Sequence, residues 1–357
     1  MLVAIALAAL LYFRLDEESQ RLCEAALNKQ CEPFVARVGS ARYTPGRGVT
    51  MYDVEIVEPL PWRSPRGVLQ VEELHVEGKF DIANLMRGKP VITRIVAKSP
   101  RLAVTRRKDG TWNVVDLHPK GSGGPMPRVE VRDATVLLAS ESGGADHTIG
   151  VHHLDASIAR SADEPNRIAF SVTARDTLAA KVEASGDAAA DGSDLRVNYQ
   201  IDGLPITKSL LSSLTHYRLA MPLPLPVSGV ASVGGSVSKP REGPLDWRAN
   251  FQLQDGQVGL PGVKRPLRAI ALAGEARGDG LRIDRCNANW GDATVRLAGN
   301  RRGWGFFAPV ALRCEVNDFE VATLPVELLP QQAAKVWNRF RPLGRADIQA
   351  DVVFDGR

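Results

Sequence analysis

From Val49 onward the chain alternates apolar and polar residues with a period of two, which puts the apolar side chains of a strand on one face. Residues 167–175 set Ile168, Phe170 and Val172 together, and residues 195–202 set Leu195, Val197, Tyr199 and Ile201 together. Residues 249–254 oppose Phe251 and Leu253 to Asn250, Gln252 and Gln254. Residues 310–317 oppose Val310, Leu312, Cys314 and Val316 to Arg313, Glu315 and Asn317. Near the end, Ile348, Ala350, Val352 and Phe354 oppose Asp347, Gln349, Asp351 and Asp355. Strands with one apolar and one wet face belong to antiparallel sheets, so the pattern predicts a mainly β fold. Asp109-Gly110, between LAVTRRK and TWNVV, predicts a hairpin turn.

The first residues follow another rule. Leu2–Phe13 is an uninterrupted apolar run, closed by Arg14 and an acidic flank of Asp16, Glu17 and Glu18. A full span needs about twenty residues, and the run lacks the positive leader of a signal peptide. No small-residue cleavage site precedes the flank. The reading is a signal-anchor helix whose beginning is missing, with Leu2, Ile5, Leu7, Leu10, Leu11, Tyr12 and Phe13 as membrane-anchor residues. Beyond it, Leu15, Leu22, Cys23, Ala26, Leu27, Phe34, Val35 and Val38 recur at helical spacing. This predicts an amphipathic helix, ended by Gly39 and Ser40, that packs on the first strands.

Comparing the chain with itself shows a repeat of about 115 residues. DATVLL (133–138) matches DGQVGL (255–260), AKVEASG (180–186) matches TVRLAG (294–299), and VNYQIDGL (197–204) matches LRCEVNDF (312–319). A short helical segment follows each copy of the last match, ITKSLLSSL at 206–214 and ELLPQQAAKVWNRF at 327–340, and strands starting at Gly229 and Gly344 come next. The predicted organisation is an anchor at 1–14, an N-terminal domain at 15–120, a joint at 121–127, and β repeat units at 128–242 and 243–357. Serial units of this kind predict an elongated sheet, and the last unit ends where a further strand would pair, so the chain is expected to continue.

Composition adds little. Apolar residues at 44% and charged residues at 24% are ordinary for a globular chain, and a net charge of +4 is too small to argue for nucleic acid. Residues 86–120 are locally basic, with nine Lys or Arg against Asp109 and Asp116. That face would favour anionic headgroups near a membrane. Cys23 and Cys31 lie too far apart along a helix to bridge, and Cys286 and Cys314 fall on separate strands. Ser236 and Lys239 match an SxxK nucleophile motif, but in a Gly-rich strand and without its partner motifs. His147, His152, His153 and Asp155 are loosely grouped, yet neighbouring residues of a strand face opposite ways. No catalytic residue, metal ligand or cofactor is assigned, and the chain is expected not to be an enzyme.

Residues 41–120 resemble the N-terminal region of the AsmA family. The resemblance rests on GRGVTMYDVEIVEP, followed by LQVEELHVEGKFDIANLMRGKPVITRIVAKSPRLAVTRRKDGTWNVVDL. It implies a single-pass inner-membrane protein whose body lies in the periplasm of a two-membrane bacterium. It also implies a long twisted sheet curled into a groove, like TamB-type and chorein-type bridge proteins, and a role in phospholipid movement or outer-membrane biogenesis.

Such a groove has a physical rationale. Taking one methylene out of water is worth about 0.8 kcal/mol, so two acyl chains would cost roughly 25 kcal/mol to carry bare through water. The lipid-groove candidates are Ile168, Phe170, Val172, Leu195, Val197, Tyr199, Ile201, Phe251, Leu253, Val310, Leu312, Val316, Ile348, Val352 and Phe354. The expected partners are phospholipid and the inner membrane, with outer-membrane or envelope assembly proteins as further candidates. The alternative reading is an envelope assembly or structural protein that binds polypeptides through its sheet edges. An alternating strand can also face an ordinary sandwich core.

Overall fold

The computed structural model describes residues 2–44, 46–59, 66–79, 91–116, 126–141, 148–161, 164, 166–176, 178–191, 193–216, 227–259, 265–305, 307–323, 331–340 and 342–355. Strands make up 68% of the chain, which places it in the mainly β class. It divides into two compact units, one of residues 1–177 and 183–192, the other of residues 178–182 and 193–357. Residues 121–125 of the predicted joint at 121–127 lie outside the described residues.

The first unit opens with helix α1 (Leu2–Cys31). The predicted anchor residues from Leu2 to Phe13 form its first part. Among the described residues no helix is long and apolar enough to cross a membrane. Alanine and straight-chain residues, which lose little freedom in a helix, fill its second half. Pro33 ends it, because proline offers no N–H and disfavours helical backbone in the residue before it.

The helical spacing of Phe34, Val35 and Val38 is therefore overridden. Val35–Thr44 is strand β1, with Ala36, Val38 and Ala41 buried, and it runs straight through Gly39 and Ser40. Leu22 also departs from the expected packed face: it is 71% exposed, and Cys23, Leu27 and Cys31 make the contacts instead.

The helix supplies the hydrogen bonds that an adjoining strand would otherwise give β1. Asn28 Oδ1 accepts the Ala36 N–H at 2.7 Å, while its Nδ2 donates to Ala36 O at 3.0 Å. Glu24 Oε2 accepts the Val38 N–H at 3.1 Å, and Gln20 Nε2 donates to Val38 O at 2.7 Å. Backbone groups that would otherwise template another chain are satisfied by side chains.

Strands β2 (Gly48–Glu58) and β3 (Arg66–Lys79) continue antiparallel from β1. Next come β4 (Val91–Lys98) and β5 (Arg101–Arg106), two halves of one line interrupted at Ser99 and Pro100. Strand β6 (Arg128–Ser140) runs parallel to both halves, so the expectation of an all-antiparallel sheet needs correction here. A parallel neighbour requires a crossover in the chain between the two strands. The Asp109-Gly110 turn forms, but its second arm is one bridge at Trp112 followed by a 3-10 turn at Asn113–Asp116, not a strand. Asn113 is fully buried and acts as a surrogate peptide group: its Oδ1 accepts the Thr105 N–H at 2.7 Å and its Nδ2 donates to Ala103 O at 2.8 Å. Strands β7 (Ile149–Arg160) and β8 (Arg167–Ala174) return to antiparallel pairing. An Arg167–Asp187 ion pair and an Ala190 N–H bond to Asn166 O at 3.0 Å tie β9 (Lys181–Ala189) to the start of β8.

The second unit is an antiparallel meander in chain order. Its strands are β10 (Leu195–Ile206), β11 (Val227–Lys239), β12 (Asp246–Val258), β13 (Leu267–Arg277), β14 (Gly280–Trp290), β15 (Ala293–Arg302), β16 (Val310–Glu320) and β17 (Arg345–Phe354). Helix α2 (Lys208–His216) follows β10, with Thr207 Oγ1 accepting the Leu210 N–H as its cap, and α3 (Gln331–Phe340) precedes β17.

Bulges interrupt these ladders at left-handed residues, among them Gly203, Asp255, Ala269 and Asp318. Asp is among the few non-glycine residues that tolerate this conformation. Two of the bulges are built alike. The Asp133 N–H in β6 bonds to Asp155 Oδ1 at 3.0 Å, and the Asp318 N–H in β16 bonds to Asp347 Oδ1 at 2.9 Å. The sequence repeat pairs Asp133 with Asp255 and Gly203 with Asp318, and all four are left-handed.

Candidate functional site

Residues paired across a ladder share a face of the sheet. In the second unit this links Ile201, Val233, Phe251, Gly274, Ile283, Gly299, Leu312 and Val352 into one row. On one side of it runs a row of Leu204, Ala231, Leu253, Leu272, Cys286, Leu297, Cys314 and Ala350. On the other lies a row of Tyr199, Gly235, Ala249, Ala276, Leu281, Arg301, Val310 and Phe354. With about 4.8 Å between strands, each row extends roughly 34 Å from β10 to β17.

Every large apolar side chain in these rows is half-buried or exposed. Among the described residues, the two clusters of buried apolar residues lie in the first unit, around α1 and β1–β4. The rows are nonetheless closely fitted. A Cβ on Gly274 would lie 2.7 Å from Phe251 Cζ, and one on Gly299 would lie 2.7 Å from Leu312 Cδ2. From Phe251 to Leu312 bulk and glycine alternate along the row, and Phe251 and Leu312 lean over the glycines beside them.

The twelve groove candidates from Leu195 to Phe354 all fall on this face, with Val197 paired to Val237 and Val316 to Val295 and Ile348. Ile168, Phe170 and Val172 belong to the first unit. There, ladders join Tyr43, Val49, Val76, Ile95, Val129 and Ile158 to Phe170, and Ala41, Met51, Leu74, Ala97, Val131 and Ala156 to Val172. Cys23 and Leu27 of α1 pack over the buried start of that face, whereas Val129, Ile158, Phe170 and Val172 are half-buried. Alternation alone missed Gly235, Gly274, Gly299 and Arg301, since neither glycine nor arginine registers as part of an apolar pattern.

The opposite faces are polar and carry two clusters of the same design. Glu275, whose side chain is 4% exposed, meets Arg248, Arg277 and Arg282, with Arg277 Nε at 2.7 Å. Glu130 meets Arg94 at 2.7 Å, Arg132 at 3.0 Å and Arg128 at 3.1 Å. Hydrogen bonds from Arg277, outweighing burial, hold the Glu275 carboxyl below its ordinary range. Those from Arg94 and Arg132 bring Glu130 down to about 2. Burial raises the Cys286 and Cys314 thiols, and both are free.

Ser236 and Lys239 are exposed on β11. His152 Nδ1 lies 3.3 Å from Thr135 Oγ1 and His153 Nδ1 lies 2.7 Å from Asp133 Oδ1, while His147 is outside the described residues. Among the described residues no group of His, Cys, Asp or Glu is arranged to hold a metal. No family model matches this sequence, and no characterised protein matches it significantly.

Proposed function

We propose that the protein binds phospholipid acyl chains along the apolar face of its sheet and conveys them between membranes. In this reading α1 belongs to an inner-membrane anchor, the β body lies in the periplasm, and the activity supports outer-membrane biogenesis without catalysis. The AsmA-like residues at 41–120 support the location. The observation that carries the activity is the face of the second unit: its rows are continuous across β10–β17, and their large side chains are only half-buried. An acyl chain is about 15 Å long, half of a bilayer's hydrocarbon thickness of roughly 30 Å, so one row is longer than a chain. The polar reverse face keeps such a body soluble.

Photo-crosslinking tests this reading. Probes at Val197, Phe251 and Leu312 should capture phospholipid in cells, and probes at Arg196, Asn250 and Arg313 should not. Equal labelling of both faces, or none on either, refutes it. A C-terminal alkaline phosphatase fusion should be active, and an inactive one refutes the location.

One observation favours a second reading, binding of polypeptides by strand addition. Strand β17 is exposed over most of its length, with Val352 at 52% and Val353 at 77%. An exposed apolar strand is a template for pairing. Crosslinks from Val353 to protein, with none from Leu312 to lipid, would favour it.

A further inference from the structure

One position in the apolar rows carries a charge. Arg301 sits in β15 between Leu281 and Val310, in the row that ends on Phe354. Its partners are few. Nη2 donates to Gly305 O at 2.6 Å, while Nε is buried with no hydrogen-bond partner. Among the described residues no carboxylate pairs with it.

The surroundings have the character of a boundary. The turn after β15 exposes Trp304 at 41% and Phe307 at 66%. Trp304 packs 5.8 Å from Trp247 and donates through Nε1 to Arg277 O at 2.8 Å, so one end of the ring is polar and the body apolar. Aromatic residues of this kind suit the zone where hydrocarbon meets headgroup. A planar guanidinium with an unmet Nε–H is suited to two oxygens of an anionic group.

We propose that Arg301 receives the phosphodiester of a bound phospholipid, whose acyl chains then run from it along the adjoining row through Ile283 and Gly299. The inference rests on the lipid-binding reading of this face and adds to it the class of headgroup and the end at which it sits. In the bound state the guanidinium turns to the phosphate, so Nε and one Nη donate together, and Trp304 and Phe307 lie against the glycerol region.

The test uses the full chain, incubated with vesicles of phosphatidylglycerol, phosphatidylethanolamine and dioleoylglycerol, then separated from them. Bound lipid is counted by mass spectrometry. Arg301→Gln should lower the ratio of phospholipid to diacylglycerol roughly tenfold, about the worth of one hydrogen bond to a charged group. Arg301→Lys should restore part of it, and Arg302→Gln, on the opposite face, should leave it unchanged. Circular dichroism identifies any variant that fails to fold, and Arg301→Lys then carries the comparison. Lipid binding with an unchanged ratio in both Arg301 variants overturns this inference and leaves the apolar face as a lipid site. No bound lipid in any protein, wild type included, overturns both.

Discussion

Replacing one apolar residue with aspartate should have very different costs in the two units. Val54 in β2 is 2% exposed and belongs to the buried cluster with Val38, Met51 and Val71. Leu312 in β16 is half-buried, flanked by Gly299 and Val352. For Leu312→Asp, about half of a buried leucine's transfer energy is lost, on the order of 1–1.5 kcal/mol. The new carboxylate reaches water, so little is added for desolvation. A unit of this size should then melt roughly 2–6 °C lower. For Val54→Asp, the lost transfer energy is about 2 kcal/mol, and an unpaired buried charge adds several more. That total is comparable to the whole stability of an ordinary domain, so the first unit should not fold. Thermal melts followed by circular dichroism measure both, with Trp290, stacked 5.0 Å from Phe319, as a fluorescence probe of the second unit. If Leu312→Asp costs as much as Val54→Asp, Leu312 is sealed in a core and the open-face argument is wrong.

Gly274→Ala should destabilise the second unit by about 1–3 kcal/mol. Its Cβ would lie 2.3 Å from Arg282 O and 2.7 Å from Phe251 Cζ, and urea titration would read the loss. Glu130→Gln should change the pH dependence of stability. The folded carboxyl titrates near 2, against a reference of 4.5. Its contribution is present above about pH 4.5 and is lost as pH falls toward 2. Melting temperatures of wild type and variant should therefore converge at low pH and differ by a constant above it, and parallel curves throughout would contradict this. Asn28→Ala should cost about 1–3 kcal/mol by leaving the Ala36 N–H and C=O unpaired, and should speed hydrogen exchange at the Ala36 amide.

The sequence exposed some levels of this fold and hid others. Where alternation stayed in phase, at β8, β10, β12, β16 and β17, strand and face were readable because burial follows parity. Strand β14 was harder: the bulge at Asp284 and Arg285 shifts parity, so Leu281 and Ile283 share a face with Cys286 and Ala288. The start of β1 was misread because Phe34, Val35 and Val38 extend the helical spacing of the preceding residues over a short run, and Pro33 ended the helix before them. The parallel pairing of β6 depends on a long-range contact that no local pattern encodes. Arg301 was invisible for a different reason: only the ladder shows that it shares a row with Leu281 and Val310.

The junction of α1 with β1 also sets a limit of scale. Four residues of helix rise about 6.0 Å, and two residues of strand about 6.7 Å. The helix step from position 28 to 24 thus keeps pace with the strand step from 36 to 38 to within roughly 0.7 Å, and position 20, about 6.0 Å further along the helix, shares strand position 38. The side chains fit that slippage. The shortest, Asn28, engages both groups of one residue, while Glu24 and Gln20, each a methylene longer, divide the groups of the next. A few more steps would exceed what side-chain length can absorb, so a helix can guard a strand edge only over a stretch about this short. Moving Asn28 by one position would turn it about 100° around the helix axis, away from Ala36, and no adjustment of the longer arms would recover the match.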